Sequence, residues 1–114
     1  MRILLKVSLP VETANRAAVE GKLGSTIKEI LEDLKPEAAY FAEEDGRRTG
    51  YIFLNMSDPS QIPRIVEPWF LAFNASVEIH PAMNPEDLAK AASDIERAAK
   101  KYGGYAWTRM PKAA

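Results

Sequence analysis

The sequence predicts an α+β domain, with a four-stranded antiparallel sheet in the order 4-1-3-2 and its main helices on one face. Three observations carry that prediction. Apolar residues alternate with period two in four short runs, and between those runs they recur at i, i+3 and i+4. An Asp45-Gly46 pair, a hairpin signal, separates the second strand from the third. The pieces run strand, helix, strand, strand, helix, strand, helix within 114 residues. Two β-α-β units joined by a hairpin form a split β-α-β, and right-handed crossovers put both main helices on the same side of the sheet.

Each element has its own signature. The first strand is Arg2 to Leu9, where Ile3, Leu5, Val7 and Leu9 alternate with Leu4, Lys6 and Ser8. Pro10 ends it. Val11 to Leu34 reads as helix with an interruption, because Gly21 and Gly24 each cost about 1 kcal/mol in a helix interior. Thr26 and Glu29, spaced as a capping box, are expected to restart it. Ile27, Ile30, Leu31 and Leu34 then share one face, and Lys35-Pro36 stops the helix.

Glu37 to Glu43 reads as the second strand and Arg48 to Met56 as the third. In the third, Tyr51, Phe53 and Asn55 face one way and Gly50, Ile52, Leu54 and Met56 the other. The parity of the second strand stays open between Ala38-Tyr40-Ala42 and Ala39-Phe41-Glu43. Asp58-Pro59-Ser60-Gln61 opens the next helix, whose apolar stripe is Ile62, Ile65, Val66, Trp69, Phe70 and Phe73. Pro68 predicts a kink near Arg64, and Asn74 suits the left-handed C-terminal position. The fourth strand is Ala75 to His80, ended by Pro81. Asn84-Pro85-Glu86-Asp87 starts a last helix. Leu88, Ala91, Ala92, Ile95, Ala99 and Tyr102 are its expected buried stripe, and Gly103-Gly104 closes it. This gives one domain over residues 1–104 and a tail over 105–114, in which Tyr105 and Trp107 are large enough to dock.

Composition narrows the function classes. A chain of 114 residues makes one domain that buries about two-thirds of its unfolded surface. Hydrophobic residues make up 46% and charged residues 27%, as in globular proteins. A formal net charge of −1 gives no basic face for nucleic acid, and Arg47-Arg48 reads as a solvated loop tip. The chain has no cysteine, which excludes disulfides, thiol catalysis and thiolate metal sites and suits a reducing cytoplasm. The N-terminal run MRILLKVSLP is too short for a signal-peptide core. No stretch approaches the ~18 apolar residues of a membrane span. The expectation is a soluble cytoplasmic protein with no cofactor, no membrane partner and no nucleic-acid partner.

The two sheet faces read differently. Ile3, Leu5, Val7, Ile52, Leu54, Val77 and Ile79 belong under the helices. Leu4, Lys6, Ser8, Tyr51, Phe53, Asn55, Glu78 and His80 fall on the open face, which is too polar for a core and too aromatic for plain solvent. Lids, ligands and dimer partners cover such faces. His80 is the only histidine. It reads as a hydrogen-bonded strand-end residue, as an acid or base oriented by Glu78, or as an axial ligand. One carboxylate beside it is a poor zinc set. Lys6 and Glu78 read as a cross-strand ion pair, or Lys6 as a contact for an anionic ligand. Tyr40, Tyr51 and Phe53 would stack on an aromatic ligand or fill a dimer core. Asn15 and Arg16, near the first strand–helix connection, read first as solvated surface residues and second as contacts at a pocket mouth.

This element order and half-polar open face resemble the ferredoxin-like, dimeric α+β barrel superfamily, which includes cofactor-free quinol monooxygenases, muconolactone isomerases and chlorite dismutase-like haem proteins. The stretches EAAYF, GYIFLNM, EPWFLAFNASVEIHPAM and PEDL also resemble a family of small, uncharacterised bacterial proteins. The superfamily resemblance implies a homodimer with ligands between sheet and helices. It supplies no catalytic motif residue by residue.

The leading expectation is a module that binds or senses a small aromatic or anionic molecule in a pocket between sheet face and helices. Its candidate ligand contacts are Lys6, Ser8, Tyr51, Phe53 and Asn55. The alternatives are a cofactor-independent monooxygenase- or isomerase-like enzyme, with His80 as proton shuttle and Glu78 beside it, and an assembly protein without ligand. The enzyme needs His80 at a closed cavity, and the binding module needs a cavity of roughly 300 Å³ or more.

Overall fold

A computed structural model describes residues 1–105. The strands are β1 (Arg2–Ser8), β2 (Ala38–Glu44), β3 (Arg47–Asn55) and β4 (Ser76–Pro81). The helices are α1 (Val11–Val19), α2 (Leu23–Leu34), α3 (Ile62–Phe73), α4 (Pro85–Lys90) and α5 (Ala92–Tyr102), with a 3₁₀ turn at Pro59–Gln61. The sheet is antiparallel in the order β2-β3-β1-β4, which is the predicted order read from the other edge. The described residues fall into two compact units, dividing between Ala82 and Met83.

The first unit has one core. Ile3, Leu5 and Val7 of β1 and Ile52 and Leu54 of β3 are sealed from water, as the alternation predicts. They pack with Ile30 and Leu34 of α2 and with Ile65, Trp69 and Phe73 of α3. Trp69 and Phe73 stack with ring centroids 6.4 Å apart. The buried stripe of α3 is narrower than the sequence suggests. Ile62 and Phe70 lie on its flanks and are exposed. Pro68 sits inside the unbroken α3, where it leaves the Arg64 carbonyl without its helical donor.

Local chemistry sets the boundaries. Asp45 and Gly46 both take positive φ, 53° and 76°, the backbone that a tight two-residue hairpin requires. Gly21 takes φ +71° and separates α1 from α2. The expected Thr26–Glu29 capping box is absent. The turn is already complete at Gly21 and Lys22, so α2 starts at Leu23 with Lys22 as its cap, and Thr26 lies inside its first turn. Asn74 takes the left-handed position after α3, at φ 53°. The Ser60 side chain first, and then the Ser60 N–H, which donates to Asp58 at 2.8 Å, hold the Asp58 carboxyl below its ordinary range.

The second unit departs from expectation. Asn84 and Asp87 form a full capping box at the start of α4. The predicted single helix then breaks at Ala91, whose N–H turns back to the Leu88 carbonyl three residues away. The expected buried stripe is not buried: Leu88, Ile95 and Tyr102 are 50%, 55% and 53% exposed. An apolar stripe records a preference for burial, and α4 and α5 contain no buried residue. Gly103 keeps right-handed dihedrals where helix α5 ends. Tyr105 meets Tyr102 edge to face at 5.8 Å, while Trp107 lies outside the described residues.

Candidate functional site

The seven residues singled out from the sequence share the open face, as their parity requires. The register aligns Glu78, Lys6, Tyr51 and Tyr40 in one row across all four strands. His80, Leu4, Phe53 and Ala38 form the next row, and Ser76, Ser8, Thr49 and Ala42 the row on the other side. This settles the second strand: Ala38, Tyr40 and Ala42 face outward with Tyr51, while Ala39 and Phe41 face the helix side. Tyr40 is 67% exposed.

A chain of polar contacts runs over this face. Lys6 forms an ion pair with Glu44 and a longer one, at 3.7 Å, with Glu78. The Tyr51 hydroxyl donates to Glu44 Oε1 at 2.6 Å, and His80 Nε2 stands 3.3 Å from Glu78 Oε1. Glu44 is the hub, and sequence reasoning missed it because the parity of β2 was open and its hairpin end was set one residue too early. The two contacts from Lys6 and Tyr51 hold the Glu44 carboxyl below its ordinary value. Donating to Glu44 pushes the Lys6 ammonium up, and donating to the same carboxylate pushes the Tyr51 phenol up, because each would lose that bond on deprotonation. Asn55 is engaged differently: its Oδ1 accepts from the N-terminal ammonium at 2.7 Å. His80 is 55% exposed in its side chain. Among the described residues no group of carboxylates and histidine could hold a metal ion.

The principal cleft opens on the opposite side of the sheet. It has a volume of about 380 Å³ and lies between α2 and the β2–β3 half of the sheet. Leu23 and Ile27 of α2 form its roof, and Val7, Leu9 and Gly50 its floor. Phe41 closes one side and Trp69 of α3 another. None of the seven sequence-selected residues lines it. Gly50 explains the approach of Phe41: a Cβ there would stand 3.1 Å from the Phe41 ring. A glycine inside a strand is the signal that could have located this cleft from sequence.

Few polar groups face the cleft. Thr49 is buried and donates to the Arg47 carbonyl at 3.1 Å. Glu43 accepts from the Gly46 N–H at 3.0 Å. Arg48 is exposed, as expected of a solvated residue, but it belongs to β3, borders the cleft and donates to Asn15 Oδ1 at 2.8 Å. Asn15 is exposed, as the surface reading expects, and touches a cleft-lining residue only through this bond. Arg16 lines a separate groove of about 320 Å³ beside Lys22 and Phe73. Trp69 is 1% exposed, and its indole N–H is buried with no acceptor among the described residues. An unpaired buried donor costs about 1–3 kcal/mol.

No helix among the described residues is long and apolar enough to cross a membrane. A family model described as a domain of unknown function, DUF3303, matches residues 1–96. No curated protein matches the chain.

Proposed function

Because the chain belongs to the DUF3303 family, a domain of unknown function, we propose its role from its own geometry: it is a small-molecule binding or sensing module that holds its ligand between α2 and the sheet. The observation that carries this reading is a cleft of about 380 Å³ walled by Leu23, Ile27, Phe41 and Trp69. That volume and that apolar lining with few polar groups are the usual properties of ligand sites. Calorimetric titration with 2-acetylnaphthalene tests it. Wild type should bind, and Ile27→Trp, which fills the roof, should lose that binding while keeping the native circular dichroism spectrum. Equal binding by both proteins would remove the cleft as the site.

The enzyme alternative loses its main support, since His80 is exposed and on the far side of the sheet from this cleft. The open face supports a second role. Leu4 and Phe53 are half-buried beside the largely exposed Tyr40, and we place a second copy of the chain there, in the manner of the dimeric α+β barrels. Native mass spectrometry of wild type and Phe53→Glu tests that placement. The wild type is expected as a dimer and the variant as a monomer, and a monomeric wild type would contradict it. Cytoplasmic residence, suggested by the cysteine-free composition, belongs to the same proposal and is checked by cell fractionation.

A further inference from the structure

Three features of the cleft together specify a ligand chemistry. Its walls include two aromatic rings, Trp69 and Phe41, and the Phe41 ring lies close over Gly50. Its two charged lining residues, Glu43 and Arg48, carry opposite signs and sit opposite each other in the β2–β3 register, so neither an anion nor a cation gains a net attraction. The Trp69 indole N–H is buried and has no acceptor among the described residues. A donor in that position discriminates strongly between ligands that supply an acceptor and those that do not.

We infer that the ligand is an uncharged aromatic molecule bearing a carbonyl-type oxygen, and that this oxygen accepts the Trp69 indole N–H. The inference rests on the cleft being the binding site. The rings of Trp69 and Phe41 take the aromatic body, and Gly50 leaves the floor open to it. The indole N–H is itself buried, so side chains lining the cleft with Trp69, among them the half-buried Leu23 and Ile27, must shift for the oxygen to reach it. Arg48 stays with Asn15 at the mouth.

The test uses three probes of one shape: 2-acetylnaphthalene, 2-ethylnaphthalene and 2-naphthoate, each titrated calorimetrically into the full chain and followed by ¹H–¹⁵N spectra of the indole groups. Trp107→Phe assigns the Trp69 resonance. The ketone should bind at least about tenfold more tightly than the ethyl compound, since only the ketone satisfies the donor. It should also move the Trp69 indole proton downfield. In Trp69→Phe the two affinities should come within about twofold of each other. If that variant fails to fold, the indole resonance of the parent protein decides the matter alone. Equal binding of ketone and ethyl compound with an unmoved indole proton would overturn the ligand chemistry and leave the cleft as the site. Tightest binding of 2-naphthoate would overturn it in favour of Arg48 recognising an anion. Binding of none of the three would overturn both the chemistry and the cleft.

Discussion

The same strands serve two opposite environments. Toward α2 and α3, β1 and β3 present Ile3, Leu5, Val7, Ile52 and Leu54, all sealed from water. Toward the open face they present Leu4, Lys6, Tyr51 and Phe53, half-buried, with Lys6 held between two carboxylates. The helix side is stabilised by apolar area removed from water, and at its β2–β3 end the packing leaves a cleft. The open face is organised by charge, in partial solvent, where ion pairs contribute little. The core and the proposed ligand cleft therefore sit on one side, and the network of polar contacts on the other.

That contrast can be broken most severely at Ile65, which is fully buried in α3. Ile65→Ala should lower unfolding stability by about 2–5 kcal/mol in urea titrations. Lys6→Met, on the opposite face, should change it by no more than about 1 kcal/mol. Comparable losses from both would mean that the open face stabilises the fold as much as the core does.

A smaller effect is expected at Gly50. A Gly50→Ala methyl would press on the Phe41 ring, which is exposed and able to swing. The fold should be retained, and affinity for 2-acetylnaphthalene should fall several-fold as the floor rises. Unchanged affinity would place the probe elsewhere.

Alternation was readable because burial acts on every second residue of a strand. It gave the two faces and put Lys6 and Glu78 on the same one, while the sheet order followed from the element order and the Asp45-Gly46 hairpin. Glu44 was not readable, because its role depends on which way β2 turns its side chains, and AAYFAEE is nearly as apolar on one parity as on the other. Arg48 and Asn15 were hidden for another reason. Their contact joins positions 33 residues apart through a strand–helix connection, and no local pattern encodes it. The stripe of α4 and α5 misled in the opposite sense. Periodicity marks a face that suits a partner without saying that the chain supplies one.

The open-face network predicts a pH signature. Glu44 has a lowered folded-state pKa, so its contribution is complete above the ordinary carboxylate value of about 4.3 and is lost as pH falls through the lowered value. Lys6 is raised, so its contribution is complete below about 10.4 and is lost as pH climbs through the raised value. Glu44→Gln should remove the acidic part of that profile in thermal unfolding scans. It should also let Tyr51 ionise at lower pH, read as tyrosinate absorbance, because the carboxylate no longer resists its deprotonation. A Tyr51 titration unmoved by Glu44→Gln would contradict the hub role of Glu44. The smallest effect belongs to His80→Ala, expected within about 0.5 kcal/mol of wild type, since the ring is exposed and meets Glu78 only at 3.3 Å.

The most direct measurement is a methyl-labelled NMR titration of the full chain with 2-acetylnaphthalene. The methyl groups of Val7, Leu9, Leu23 and Ile27 should shift and saturate together, while Leu4 on the other side of the sheet stays in place. Shifts centred on Leu4, or none at any of these positions, would contradict a ligand site beneath α2.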